Sequence, residues 1–456
     1  MTDARDRALQ YAHENRARFL NEMKEIASIA SVSTDPAHKS DIQKAAFWMA
    51  ARLENLGMKK VQILPTQGHP VVYGETMEAS KKAPVVLIYG HYDVQPAEPL
   101  ELWNSPAFEP TQRGDNLYGR GVSDMKGQIM ASLFAIEAIQ KTDHLPCNLK
   151  FIFEGEEEIG SPNLAPFIAN HKELLASDLV LNLDTGIIAE DFPSITCSLR
   201  GLAYFEIRVS GPASDLHSGG FGGAVHNPAQ VLCELIAGMH DDQGRITLPG
   251  FYDRVRPLTV EERAEMARLP INDETILKIT GAPALFGEAG YTAIERIGAR
   301  PTLDVNGMLS GFTGTGSKTV LPAKAMAKIS MRLVPDQDPA EVNQQLLQYM
   351  ETNAPPTIHW EVEQLAGGFP SIVDRNAPGV QALADAFQTV WGKPVVFKRE
   401  GGSVPVVAQM QSILGKASIL SGFGLPDDNL HAPNEKLHLP TWYRGIDVLI
   451  HFFYNL

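Results

Sequence analysis

Three short apolar runs in this chain each hand over abruptly to a histidine or an acid. Residues 85–89 run through Gly90 into His91, residues 149–153 run into Glu154, Glu156, Glu157 and Glu158, and residues 179–183 end at Asp184. Between and before them lie patterns of helical period. Ile42, Ala45, Ala46, Met49, Ala50, Leu53 and Leu56 recur at helical spacing with Gly57 as a stop, and Met125, Ile129, Leu133, Ile136 and Ile139 form a second set. Strands that are apolar throughout and alternate with helices predict a sheet covered on both faces. In open sheets of that kind, ligands bind beyond the carboxyl ends of the strands. That is where His91, Glu157, Glu158 and Asp184 fall.

At 456 residues the chain is too long for one ordinary core, so two domains are expected. Its 44% hydrophobic and 20% charged residues are those of a soluble globular protein. No run approaches the roughly 18 apolar residues a membrane helix needs, so no membrane partner is expected. Residues 1–24 are dense in Arg, Asp and Glu and lack the apolar stretch of a secretory signal. Cys147, Cys197 and Cys233 are odd in number and show no CxxC spacing, which reads as reduced thiols in a cytoplasmic protein. A net charge of −15 argues against a nucleic-acid partner.

Near Leu199 the pattern changes. Residues 203–209 alternate, with Tyr204, Glu206 and Arg208 on one side. A helix follows from Pro228 to Met239, then a long Pro-rich excursion over 248–301 with no element assigned. Strands are predicted at 301–309 and 325–334, a helix from Pro339 to about Met350, and a strand at 358–362. That β-α-β-β-α-β order predicts a ferredoxin-like layer. The earlier style resumes from Gly367, with helices over 380–390 and from about Thr441, read as an N-cap, to Phe453. The expected architecture is α/β: a mixed-sheet catalytic domain covered by helices (1–198 and 367–456), interrupted by an inserted lid and dimerisation domain (199–366).

Five residues of metal-ligand type stand out: His91, Asp124, Glu158, Asp184 and His431. Two imidazoles and three carboxylates are too few for two separate four-coordinate cages. They suffice if one carboxylate is shared by two adjacent ions, an arrangement suited to hydrolysis. Asp93, two residues beyond His91 and on the same side of an extended backbone, can hydrogen-bond the second ring nitrogen. Asp124 lies in a Gly-rich loop before a helix and reads equally as an N-cap. If both its oxygens serve metal, Ser123 or neighbouring backbone must cap that helix. Four acids within five residues at 154–158 repel one another unless cations lie nearby. One can ligate while its neighbour faces water as a general base.

The segments GHYDVQPA, YGRGVSDMKG, FEGEEEIGS, DLHSGGFGG, MRLVP, REGGSVPV and NLHAPNEK together resemble the M20 family of metallopeptidases, in family order over nearly the whole chain. The long excursion and REGGSVPV are similar to the branch of cytosolic non-specific and carnosine dipeptidases. The resemblance implies that His91 and Asp184 hold one metal, Glu158 and His431 the second, and Asp124 bridges them. It implies that Asp93 orients His91, that Glu157 is the general base, and that His217 reaches the partner subunit's site to stabilise the oxyanion. Thr319, Arg332, Gly401, Gly402, Ser403 and His431 match substrate contacts. An arginine fork suits a free carboxylate, and paired glycines let backbone N–H groups approach an anion. The implied activity is cleavage of dipeptides or short peptides with a free C-terminal carboxylate, by a homodimer joined through the lid. The implied cofactors are two divalent ions per subunit, Zn2+ first and Mn2+ as the other choice. The alternative on the same scaffold is an N-acyl-amino-acid deacylase such as a desuccinylase. Val122-Ser123-Asp124-Met125 and the sequence after Asp184 depart from the branch's usual pattern and bear on specificity.

Overall fold

The apolar run ending at His91 forms the strand Val85–His91, in the middle of a mixed sheet. The structure, a computed structural model, describes residues 3–402, 404–416 and 418–456. Ser403, expected to contact substrate, lies outside the described residues. By its internal contacts the chain divides into two units. The first comprises Met1–Cys197, Val373–Lys398 and Gln409–Leu456, the second Ser198–Ile372 and Arg399–Ala408.

In the first unit the sheet runs in the order Gln62–Leu64, Val71–Thr76, Asn148–Glu154, Val85–His91, Leu179–Asn182, Ser418–Leu420, Ser194–Leu199. The four central strands are parallel and the flanking pairs antiparallel. Val85–His91 has Asn148–Glu154 on one side and Leu179–Asn182 on the other, although both follow it in the chain. Strand order therefore reverses at Val85–His91, which puts His91 at the topological switch point. Asn148–Glu154 is buried along its whole length, Lys150 included, whose ammonium donates to Leu174 O and Ala176 O.

The helix Lys126–Thr142 follows the Asp124 loop and is buried from Lys126 through Ile139. It packs hard on the strand that carries His91: a Cβ on Gly90 would sit 2.5 Å from Ile129 Cγ1. Ala4–Glu14, Arg16–Ala27 and the closing helix Leu439–Asn455 pack against it. The closing helix begins earlier than expected. His438 is its N-cap and Pro440 falls in its first turn, where a missing N–H costs nothing. Thr441 lies inside the helix, its Oγ1 2.8 Å from His438 Nδ1.

The second unit is the expected β-α-β-β-α-β layer. Its antiparallel sheet runs Thr302–Ser310, Lys324–Leu333, Gly201–Ser210, His359–Gly368. The alternation along Gly201–Ser210 buries Ala203, Phe205, Ile207 and Val209 with Ala325, Ala327, Ile329 and Met331 of the neighbouring strand. These pack under Val231 and Leu235 of Pro228–Ala237 and Val342 and Leu346 of Pro339–Asn353. Both helices start the same way, Asn227 and Asp338 capping a backbone N–H with proline in the first turn. The excursion over 248–301 is more ordered than its prolines suggest. It holds the helices Val260–Met266, Asp273–Thr280 and Ala293–Ala299, two of them opened by capping boxes, Thr259 with Glu262 and Thr292 with Glu295.

Candidate active site

Asp124 sits just ahead of Lys126–Thr142, and its two carboxylate oxygens face different imidazoles. Oδ1 is 3.1 Å from His91 Nε2 and Oδ2 is 2.9 Å from His431 Nε2. Each imidazole has a second acid beside it: Asp184 Oδ1 at 3.7 Å from His91 Nε2, and Glu158 Oε2 at 3.3 Å from His431 Nε2. The ligand-type atoms form two groups, His91–Asp124–Asp184 and Asp124–Glu158–His431, each spanning no more than 4.8 Å and both containing Asp124.

Strand ends and the turns after them aim these groups. His91 is the last residue of its strand, level with Glu154 on the neighbouring one. Asp184 follows Leu179–Asn182 by two residues, its N–H bonded to Asn182 Oδ1 at 2.8 Å. Glu157 and Glu158 open a short 3-10 turn, Glu157–Ile159. Both of their N–H groups donate to the Asp93 carboxylate, at 3.2 and 3.1 Å. Asp93 thus does more than was expected of it, and does it differently. Its backbone carbonyl is 3.1 Å from His91 Nδ1, closer than its carboxylate at 3.4 Å, because the carboxylate is occupied with the two amides. A proton on Nδ1 donated to that carbonyl leaves the Nε2 lone pair facing Asp124 and Asp184. Gln95 Nε2 donates to Glu158 Oε2 at 2.8 Å.

The cluster is dense in negative charge and largely buried. His91 and Asp93 are wholly buried. Burial alone would lower the His91 pKa, but Asp184 and Asp124 outweigh it and hold it well above its ordinary value. The hydrogen bond to the Asp124 carboxylate, with the charges of Glu158 and Asp124, likewise raises His431, to about 9. Burial raises Glu158 to about 8, with the Asp124 charge adding to it. Burial is also the main cause of the rise of Glu157 to about 7, with Asp184, Asp124 and Asp93 adding. Five carboxylates around two imidazoles call for positive charge, and protons on the imidazoles supply only part of it. Mixed imidazole and carboxylate donors in two groups sharing one acid suit a pair of divalent cations.

A further acid was not singled out from the sequence, although it lies within NLHAPNEK. Glu435, wholly buried, accepts from Arg120 Nη1 and from the N–H groups of Gly121, Ser123 and Asp124. Its signal was a charged residue four places after His431 and beside the short strand Lys436–His438, which pairs with Asn116–Tyr118 ahead of the Asp124 loop. Of the two expected caps for the following helix, neighbouring backbone serves, Lys126 N donating to Gly121 O at 3.2 Å, and Ser123 does not. Its hydroxyl donates to Asp428 Oδ2 at 2.8 Å, and the helix has no side-chain cap.

The other expected residues belong to the second unit. His217 is exposed and closes the short strand Leu216–His217, paired with Val320–Leu321. Its Nδ1 accepts from Gly219 N at 3.0 Å, so the ring proton sits on Nε2. Thr319 lies alongside, its carbonyl accepting from Ser218 N at 3.0 Å. Arg332 projects from the half-buried face of Lys324–Leu333, opposite the core. The Gly401 carbonyl accepts from Arg200 Nε at 3.1 Å, and Gly402 beside it is exposed.

The family model described as "Peptidase family M20/M25/M40" matches residues 87–455. The chain is 30% identical to the beta-Ala-His dipeptidase of Rattus norvegicus, covering 99% of this chain and 95% of that protein. It is 31% identical to the Cys-Gly metallodipeptidase of Candida albicans, over 96% and 95% respectively. Among solved structures, an M20 family metallo-carboxypeptidase from Sulfolobus solfataricus superposes with a TM-score of 0.80 at 33% identity, covering 95% of this chain and 98% of that one.

Proposed function

Since the chain belongs to peptidase family M20/M25/M40 and is a metallopeptidase, we propose that it cleaves dipeptides or short peptides bearing a free C-terminal carboxylate. The observation that carries this reading is the division of the Asp124 carboxylate between two imidazoles, each with its own second acid. His91 and Asp184 would hold one divalent ion and Glu158 and His431 the other, with Asp124 shared. Zinc is the first choice and manganese the second. When bound, such a pair supplies Lewis acidity that polarises the scissile carbonyl and acidifies an attacking water.

The chain's own residues do the rest. Glu157, adjacent to Glu158 in the same turn, belongs to neither group. Its carboxylate takes the water's proton and returns it to the leaving amine. Asp93 fixes the His91 ring and, through two amides, the turn that aims Glu157 and Glu158. The Nε2 proton of His217 is free to donate to the oxyanion of the tetrahedral intermediate. Arg332, Gly401, Gly402 and Ser403 would recognise the substrate's terminal carboxylate, Thr319 would contact substrate, and His431 would contact substrate as well as metal. Residues 199–366 would act as lid and dimerisation domain, with 1–198 and 367–456 forming the catalytic domain.

The homodimer is supported by the edge strand Thr302–Ser310, where Val305, Met308 and Leu309 are exposed. An uncovered apolar edge invites pairing, and a two-fold partner meets that need. A cytoplasmic location is supported by the odd number of cysteines and their lack of CxxC spacing, with Cys233 exposed. The deacylase alternative gains nothing from the dipeptidase and carboxypeptidase relatives. The test is metal analysis of the purified protein, then turnover of a panel of free dipeptides and N-acyl amino acids with each metal restored. Turnover of acylated amino acids alone would overturn the peptidase reading.

A further inference from the structure

Behind the ligand cluster lies a buried ion pair with no part in the chemistry described above. Arg120 and Glu435 are 1% and 0% exposed, and Arg120 Nη1 donates to Glu435 Oε2 at 2.8 Å. Oε2 also accepts from Gly121 N at 2.8 Å, while Oε1 accepts from Ser123 N at 3.0 Å and Asp124 N at 3.1 Å. Four donors saturate an ionised carboxylate. The other end of Arg120 spreads further: Nη2 donates to Pro96 O at 3.1 Å and Ala432 O at 3.3 Å. The pair therefore fastens together three loops, those following His91, leading into Asp124, and carrying His431.

The His431 loop needs fastening. Asn429, His431 and Asn434 take positive φ of 55°, 57° and 63°, a left-handed backbone that non-glycine residues keep only where their surroundings impose it. Gly121 takes φ +79° on the facing loop, where a Cβ would meet Val94 Cγ1 at 2.4 Å. A second tie joins the same two loops, Ser123 Oγ to Asp428 Oδ2 at 2.8 Å. A buried ion pair is a poor way to add stability, since apolar side chains of the same volume often do as well. Its value is geometric.

We propose that Arg120 and Glu435 are positioning residues, holding the Asp124 and His431 loops in the register that lets one carboxylate serve two metal ions. This rests on the ligand assignment made under the proposed function. In Glu435→Gln one acceptor oxygen becomes an NH2 facing N–H donors, so the loops part while the side-chain volume is kept.

The experiment is calorimetric titration of ion-stripped protein with Mn2+, alongside thermal unfolding, for wild type, Glu435→Gln and Glu137→Gln. Glu137 is the control, a carboxylate buried with Arg52 away from these loops. Wild type is expected to bind two ions. Glu435→Gln is expected to bind them about 10- to 100-fold more weakly, and Glu137→Gln with wild-type affinity despite a lower melting temperature. Wild-type affinities in Glu435→Gln, or equal weakening in both variants, would overturn the inference. If Glu435→Gln does not fold, Ser123→Ala decides: affinity about three- to tenfold weaker supports the inference, and unchanged affinity overturns it. A wild type that binds no ion removes the ligand assignment and the inference with it. A wild type that binds two ions, matched by Glu435→Gln, overturns the inference alone.

Discussion

The Asp124 carboxylate and the His431 imidazole meet at 2.9 Å although 307 residues separate them along the chain. Asp124 follows the short strand Asn116–Tyr118, and His431 lies in the loop between Ser418–Leu420 and Lys436–His438, the strand that pairs with Asn116–Tyr118. The second group of ligand-type side chains, Asp124, Glu158 and His431, exists only where these two segments close on each other.

Replacing His431 with alanine should therefore remove one ion and spare the other, since His91 and Asp184 keep their places on different strands. Metal analysis is expected to fall from two ions per chain to one, with kcat reduced on the order of 10²-fold or more. Two tightly held ions with full turnover would take His431 out of the ligand set.

Glu157→Gln keeps the size of the side chain but cannot accept a proton. A loss of roughly 10²- to 10⁴-fold in kcat is expected, the usual worth of general acid–base catalysis, with both ions still bound. Loss of an ion, with a normal rate once it is restored, would exchange the roles of Glu157 and Glu158.

Away from the site, Glu137 is nearly buried and paired with Arg52 and Arg18. Burial alone would raise its pKa, but the Arg52 charge and the Arg18 hydrogen bond outweigh that and hold it below its ordinary value. A depressed carboxylate stabilises the fold above its unfolded pKa and ceases to do so as pH falls through the folded one. Glu137→Gln should cost about 3–5 kcal/mol at pH 7. The gap in unfolding midpoint should narrow below about pH 4. A gap of constant width from pH 7 to pH 3 would mean that the charge of Glu137 is not its source.

If His217 serves the partner's site, His217→Ala and Glu157→Gln homodimers should each be nearly inactive. Mixed and reassembled, about half the dimers are heterodimers with one working site of two, so about a quarter of wild-type activity should return. With subunit exchange confirmed separately, by recovery of heterodimers carrying two different affinity tags, a mixture no more active than its parents would assign His217 to its own chain.

Much of this molecule is legible before folding. Strands such as Val85–His91 and Asn148–Glu154 announce themselves because burial on both faces favours apolar residues, which Lys150 alone interrupts between Leu149 and Phe153. The inserted layer is legible because a half-buried sheet alternates and its helices open on Asn-Pro and Asp-Pro. Other elements are silent. Ser194–Leu199 and Ser418–Leu420 are short or rich in polar residues, and their strand conformation comes from neighbours that supply hydrogen-bond partners. The helices at Thr259 and Thr292 did carry a local signal, the Thr-x-x-Glu box, hidden among prolines.

The chain's local chemistry decides which residues can bind a cation or move a proton, and which strand ends present them, because side-chain type and backbone period are properties of neighbours in sequence. Tertiary structure alone decides that the two oxygens of Asp124 face His91 and His431. It alone gives the Asp93 carboxylate to two amides and not to a ring, and wraps four donors around Glu435. The physical reason is range. A hydrogen bond acts over about 3 Å, and segments hundreds of residues apart come within that reach only after the sheet has assembled and water has been excluded between them.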